Sequence, residues 1–295
     1  MRPLDFWIMM LCCLGWGGNF VISSWALSST PLPPFMLGAI RAVFVIILMG
    51  VYLFRPLPKK FWLLLCVSVA VGFAHLGFLY TGLQTAPASG ASVVAQMVIP
   101  MATLLSVVFL KEKIGWVRGI AIIAAFLGVC FMVYEPGALS LDWGLFFIFM
   151  AYASLAIGSV LMKCVGDIDW KVYVAWTAVV LLFGSSITSI VMETGQVDVI
   201  SNSPMPVFIA AIYAAVIVSI FSHGQYFRLL QTYDVSVVVP LTLMMTVFAT
   251  ILGVVLLNET LNARYIIGAV IILPAVYVIA RRQSSSKTVI DMAEP

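Results

Sequence analysis

Ten nearly unbroken apolar stretches run through the chain with short polar joints between them, at 6–27, 35–54, 61–83, 88–110, 115–134, 143–163, 171–192, 206–230, 235–257 and 262–280. A helix needs roughly 20 apolar residues to cross a hydrocarbon core about 30 Å thick. The pattern therefore predicts an all-α polytopic membrane protein of ten transmembrane helices. No polar stretch is long enough for a soluble catalytic domain. The first apolar run has the position of a signal peptide, but it is long, holds Trp16, Asn19 and Trp25, and lacks a small-x-small cleavage site. It is read as helix one.

Polar residues inside these runs are few and periodic. Helix one carries Trp16, Asn19 and Ser23 on one face, beside Gly15, Gly17 and Gly18, which permit close helix approach. Asn19 serves either a packing seam or a cavity wall. Helix two holds Arg41 about two turns in, a charge costly to bury unless partnered. No intramembrane carboxylate is present to pair with it, so it is read as a structural anchor or as the contact for an anionic ligand. Helix three contains His75, which either bonds a neighbouring helix or meets substrate or protons. Helix four has a stripe of Ser89, Ser92, Gln96 and Thr103 that must face protein or water. Pro100 frees a carbonyl within it and predicts a kink. Helix nine repeats the design with Pro240, Thr242, Thr246 and Thr250, so Pro100 and Pro240 are candidate hinges at non-equivalent positions. Helix six carries Tyr152, and helix eight a second stripe of Ser219, Ser222, His223 and Tyr226. Helices four and nine are the strongest candidates for lining a path; helices five and ten are nearly featureless.

The chain also repeats itself. Gln84–Glu112 set against Gln231–Glu259, a shift of 147, gives eleven identities in twenty-nine positions, including Ser89/Ser236, Thr103/Thr250 and Glu112/Glu259. Gly77 falls on Gly224, and His75 lies one gap away from His223. The expected organisation is a first five-helix repeat over 1–134, a connecting loop at 135–142, a second repeat over 143–282 and a disordered cytoplasmic tail at 283–295.

Charge then sets the orientation. With the N-terminus cytoplasmic, thirteen of the 15 Lys and Arg fall inside, Arg264 alone falls outside and Arg41 lies within helix two. That is a strong positive-inside bias, so both termini are expected in the cytoplasm. Five helices per repeat is an odd number, so the second copy enters the membrane from the opposite side. Inverted repeats with a midplane site between them are a mark of secondary transporters.

Composition agrees: 63% hydrophobic and 9% charged, with mean hydropathy +1.14, where a soluble domain carries about 25% charged residues. The five cysteines (Cys12, Cys13, Cys66, Cys130, Cys164) sit in apolar runs or, for Cys164, at the end of one, with no CxxC spacing, which argues against a disulfide framework or a metal site.

The helix-one "WGGNFV", the helix-two "LGAIRAVF", the "FLKEKI" and "LLNETL" exits of helices four and nine, and the two five-helix halves together resemble the EamA-type family of the drug/metabolite transporter superfamily. The likeness spans nearly the whole chain. It implies a central cavity lined mainly by helices one, three, four, six, eight and nine, and export of small metabolites, often amino acids and derivatives, from the bacterial cytoplasm. Carried over by position, Trp16, Asn19, His75, Gln96, Tyr152, His223, Tyr226 and Thr246 fall on those helices. Ser92, from the helix-four stripe, joins them as a substrate-binding candidate. Glu112 and Glu259 match family positions and are read as end-of-helix structural residues.

The expected function is a secondary transporter that exports such metabolites across the bacterial inner membrane by alternating access. The cavity residues suit a neutral or zwitterionic solute with an apolar part. Proton coupling would have to use a histidine; uncoupled export is equally open. Two other function classes fit the sequence less well. A transferase enzyme would need paired carboxylates or a His/Asp cluster, and the only close acidic pair, Asp167 and Asp169, has no histidine nearby. A channel would need a continuous polar ring, where this sequence offers stripes. The expected partners are a small-molecule substrate and the lipid bilayer, with a homodimer as a candidate assembly; no cofactor, metal or nucleic acid is expected.

Overall fold

The computed structural model describes residues 1–110, 115–135, 140–166, 168–233, 238 and 241–291. Pro240, Asp167, Ser236 and the whole "KEKI" exit, Glu112 included, lie outside them. In chain order the membrane-length helices are α1 (Pro3–Ser29), α2 (Pro34–Phe54), α3 (Phe61–Leu83) and α4 (Ala88–Phe109), then the shorter α5 (Trp116–Met132). They continue with α6 (Trp143–Met162), α7 (Trp170–Met192), α8 (Pro204–Tyr226) and the shorter apolar α9 (Met244–Leu257) and α10 (Ala263–Ile279). Seven of these are long and apolar enough to cross a bilayer, and the chain is a multi-pass membrane protein. The helix of α10 continues to Asp291, into the stretch expected as a tail. A short helix, Gln196–Asn202, precedes α8, and a two-residue antiparallel bridge pairs Tyr134–Glu135 with Ser140–Leu141.

The helix starts follow from local chemistry. Pro3, Pro34 and Pro204 occupy first-turn positions, where the missing N–H costs nothing. Asp142 and Asp169 cap α6 and α7 by accepting from the Leu145 and Lys171 amides, each at 3.0 Å. Two further caps come from other helices. Glu193, just past α7, accepts from the Phe35 and Met36 amides of α2 at 2.8 and 3.1 Å. Glu259, just past α9, accepts from the Ala88 and Ser89 amides at 2.5 and 3.1 Å and from Ser89 Oγ at 2.6 Å. Each carboxylate meets orphan amides and the positive end of a helix dipole. Asn258, with φ of 53°, ends α9 in the left-handed conformation.

Helices pack in pairs: α2 with α7, α5 with α10, α1 with α9 and α8, and α3 with α6 and α7, while α4 lies between α6 and α9. Lipid tails are as apolar as leucine, so close packing and interhelical hydrogen bonds must hold the bundle. Gly17 is one such seam: a β-carbon there would come within 2.9 Å of the Met245 carbonyl and the Ala249 amide of α9. The outward surface is strongly apolar, with Ile47, Phe109, Ile190 and Val270 exposed, as a surface facing hydrocarbon requires.

Three of the helices are irregular within their length, and a fourth is preceded by a tight turn. In α4 the helix is interrupted at Gln96–Met97, and the Gln96, Met97 and Ile99 amides reach only three residues back. Pro100, one turn on, has no N–H to offer the Gln96 carbonyl, which accounts for the break. A tight turn at Thr242–Leu243 stands at the corresponding place before α9. In α3, Val69–Ala74 is π-helical, and in α8 so is Ala214–Ser222. Each π segment ends immediately before a histidine, His75 or His223.

Candidate functional site

The broken and π-helical segments bring the polar stripes together. At the α4 break, Gln96 Nε2 donates to Thr246 Oγ1 of α9 at 3.0 Å, and that hydroxyl donates to the Ser92 carbonyl at 3.1 Å. Ser92 Oγ itself bonds back to the Ser89 carbonyl at 2.8 Å. Three of the expected substrate-binding residues are thus engaged with one another, tying α4 to α9. Ser89, Ser92, Gln96 and Thr103 are all buried, so their stripe faces protein.

Two aromatic–histidine clusters meet α1 one turn apart, at Trp16 and Phe20. His75 Nδ1 lies 3.0 Å from the Ala151 carbonyl of α6, which fixes that nitrogen as the donor. Its ring meets Tyr152 edge-on at 5.0 Å, and Phe20 of α1 stacks on Tyr152 at 6.5 Å. One turn earlier on α1, Trp16 packs on His223 at 5.7 Å and on Tyr226 at 5.3 Å. Each histidine follows a π segment, in α3 for His75 and in α8 for His223. Each is packed by an aromatic from another helix, Tyr152 of α6 or Trp16 of α1. Asn19 lies on α1 between the two clusters.

Several polar atoms here have no protein partner although buried: Trp16 Nε1, Asn19 Oδ1, Ser23 Oγ and Ser222 Oγ. Buried polar groups are nearly always bonded, so such a concentration calls for water or a solute. Arg41 supplies the fixed charge. It is 5% exposed and donates through Nη1 to Tyr80 of α3 and through Nη2 to Ser219 of α8, each at 2.9 Å. Ser219 Oγ in turn bonds the Ala214 carbonyl five residues back, within the π segment.

Of the sequence candidates, the structure gathers Trp16, His223 and Tyr226 in one cluster, His75 and Tyr152 in a second, and Ser92, Gln96 and Thr246 in a third. Asn19 lies on α1 three residues after Trp16, Arg41 joins α2 to α3 and α8, and Pro100 sits beside the α4 break. Pro240 lies outside the described residues. Sequence reasoning missed Phe20, Tyr80 and Tyr213, whose hydroxyl donates to the Gly15 carbonyl at 3.1 Å. It also missed the π segments, for which the one-residue gap between His75 and His223 in the repeat was the available signal.

A further polar group closes the bundle at the N-terminal end of α1. Arg228 Nη2 and the Tyr233 hydroxyl both reach Asp5, at 2.8 and 2.6 Å, beside a cleft of about 620 Å³. Asp142, at the start of α6, faces Arg264 at 3.6 Å and Tyr265 at 3.5 Å.

Comparison with known proteins places this architecture. The chain is 26% identical over 290 residues to a probable amino-acid metabolite efflux pump of Salmonella typhimurium, covering 94% of this chain and 95% of that one. The Escherichia coli protein of the same description is 25% identical over 288 residues, with the same coverage. A chloroplastic WAT1-related protein of Arabidopsis thaliana is 27% identical over 296 residues, 94% of this chain and 69% of its own. A solved crystal structure shares the fold at a TM-score of 0.63 and 18% identity, covering 96% of this chain and 99% of that chain. The sequence model of the EamA-like transporter family matches residues 4–134 and again 142–281. With nearly its whole length accounted for in two matched stretches, the chain belongs to the EamA-like transporter family.

Proposed function

We propose that the chain is a secondary transporter of ten spans, built as two inverted five-helix halves, that exports amino acids or related amphipathic metabolites by alternating access. It sits in a bacterial inner membrane with both termini in the cytoplasm. The observation that carries this reading is the break within α4 and the turn at the corresponding place just before α9, joined by Gln96 and Thr246. Discontinuous helices in corresponding positions of two repeats are where secondary transporters hold their solutes. The packing order supports the inverted halves: numbering each helix five higher turns α1·α9 into α6·α4 and α3·α6 into α8·α1, and both pairs occur. The positive-inside charge bias supports the orientation. The aromatic lining and neutral donors support a solute with an apolar part, and the names of the bacterial relatives support an amino-acid metabolite.

Counterflow in proteoliposomes tests this. Vesicles holding the purified protein and preloaded with unlabelled neutral amino acids are expected to accumulate the labelled form transiently, and empty vesicles are not. Equal traces with and without protein would remove the reading.

A further inference from the structure

Arg41 is buried well inside the bundle with no carboxylate among its bonded partners. Its donors meet two neutral hydroxyls, Tyr80 on α3 and Ser219 on α8. Among the described residues, every Asp and Glu stands outside the membrane-length helices or within a turn of a helix end, whereas Arg41 lies about 10 Å along α2 from Pro34 at 1.5 Å per residue. Joining three helices does not explain the charge, because a neutral amide could donate to the same two hydroxyls. A cation buried against neutral partners keeps nearly the full cost of its desolvation, and a mobile anion can repay it. The guanidinium fork matches a planar carboxylate with two parallel hydrogen bonds, each stronger than a bond to a hydroxyl.

The surroundings extend this site in one direction. Ser219 begins the α8 face that continues one turn later as Ser222 and His223, and His223 packs on Trp16. Along that face and the facing part of α1, the unpartnered atoms are neutral: Ser222 Oγ, Trp16 Nε1 and Asn19 Oδ1. No described carboxylate stands ready for an ammonium group.

We infer that Arg41 is the counter-ion for a carboxylate on the transported solute, so that the solute's acid group is required while its amine is dispensable. This rests on the carrier reading above and narrows its substrate class to amphipathic organic acids, with or without an amino group. When the carboxylate arrives, the guanidinium exchanges its hydroxyl partners for the acid's two oxygens.

Matched triads test the inference: alanine, leucine and phenylalanine, each with its amide and with the corresponding carboxylic acid lacking the amine. Full-length protein in proteoliposomes is preloaded with each compound and assayed for counterflow of its labelled form. The amino acids and the deamino acids are expected to exchange, and the amides roughly tenfold more slowly, as when a site built for a polar group meets an analogue lacking it. Arg41→Gln is expected to erase the acids' advantage, while Arg41→Lys, still charged but without the fork, keeps a reduced one. Amides exchanging as fast as acids, or a folded Arg41→Gln protein that keeps the preference, overturns the inference. Should Arg41→Gln fail to fold, the wild-type ranking and Arg41→Lys decide alone, and a lysine variant without acid preference overturns it. Exchange of amides alone overturns only this inference and leaves the carrier reading standing. Exchange of no triad member overturns both.

Discussion

At the scale of single residues, carboxylates carry unequal burdens. Glu259 meets three donors at the start of α4, and Glu193 meets two at the start of α2. Each ties the end of one helix to the beginning of another, so its removal frees several amides at once. Glu259→Ala is expected to cost about 1–3 kcal/mol, the range for a lost cap whose donors are left unsatisfied. A lower melting temperature of the purified protein in detergent checks this; an unchanged one would mean that water replaces the carboxylate without loss. The role of Glu259 as an end-of-helix structural residue was legible from the repeat. That of Glu193 was not, because nothing in its neighbourhood names α2 as its partner. Likewise the sequence singled out Gln96, Ser92 and Thr246 one by one for their polarity. Their engagement with each other depends on how α4 and α9 cross, which no stripe on a single helix encodes.

At the scale of elements, hydropathy was sufficient to place the helices. The expected 61–83 and 88–110 stand against Phe61–Leu83 and Ala88–Phe109, because an apolar run in lipid has few alternatives to helix. Irregularity within a helix was legible only where proline marks it. Pro100→Ala restores an amide donor opposite the Gln96 carbonyl, which sits at the break of α4. The variant is expected to be more stable, by up to about 1 kcal/mol if the added bond forms without strain. It is also expected to exchange solute more slowly, since a continuous α4 bends less readily at Gln96. Melting temperature and counterflow rate, measured on the same preparation, check the pair. A rise in both would show that the break serves packing rather than motion.

For the whole molecule, the question is which side is shut. α1 starts, and α8 ends, at the face where Asp5 binds Arg228 and Tyr233. Asp142 stands with Arg264 and Tyr265 where α6 begins, close to the end of α3 through the Gly82–Gly144 contact. If each helix crosses once, these two groups lie at opposite faces. Asp5→Asn removes the ionic bond at the first face and is expected to favour the state open there. Cys12 and Cys13, buried two turns further along α1, report that opening. With Cys66, Cys130 and Cys164 replaced by serine, Asp5→Asn is expected to raise the maleimide labelling rate several-fold, the size of effect that a shift of 1–2 kcal/mol or so produces. An unchanged rate would mean that the Asp5 group is a solvated bridge without influence on opening.

The π-helical segments of α3 and α8 have a further consequence for the histidines that follow them. A π turn is an α turn with a surplus residue wound in, so everything beyond it is swung by about 100° from where uniform winding would put it. A helical wheel drawn straight through α8 therefore misplaces His223 and Tyr226 relative to the residues ahead of Ala214. The surplus can be carried along a helix without breaking it, like a ruck in a carpet. A rod that stores one is already wound for rotation about its own axis, and the two rods that store one here are those that aim His75 and His223.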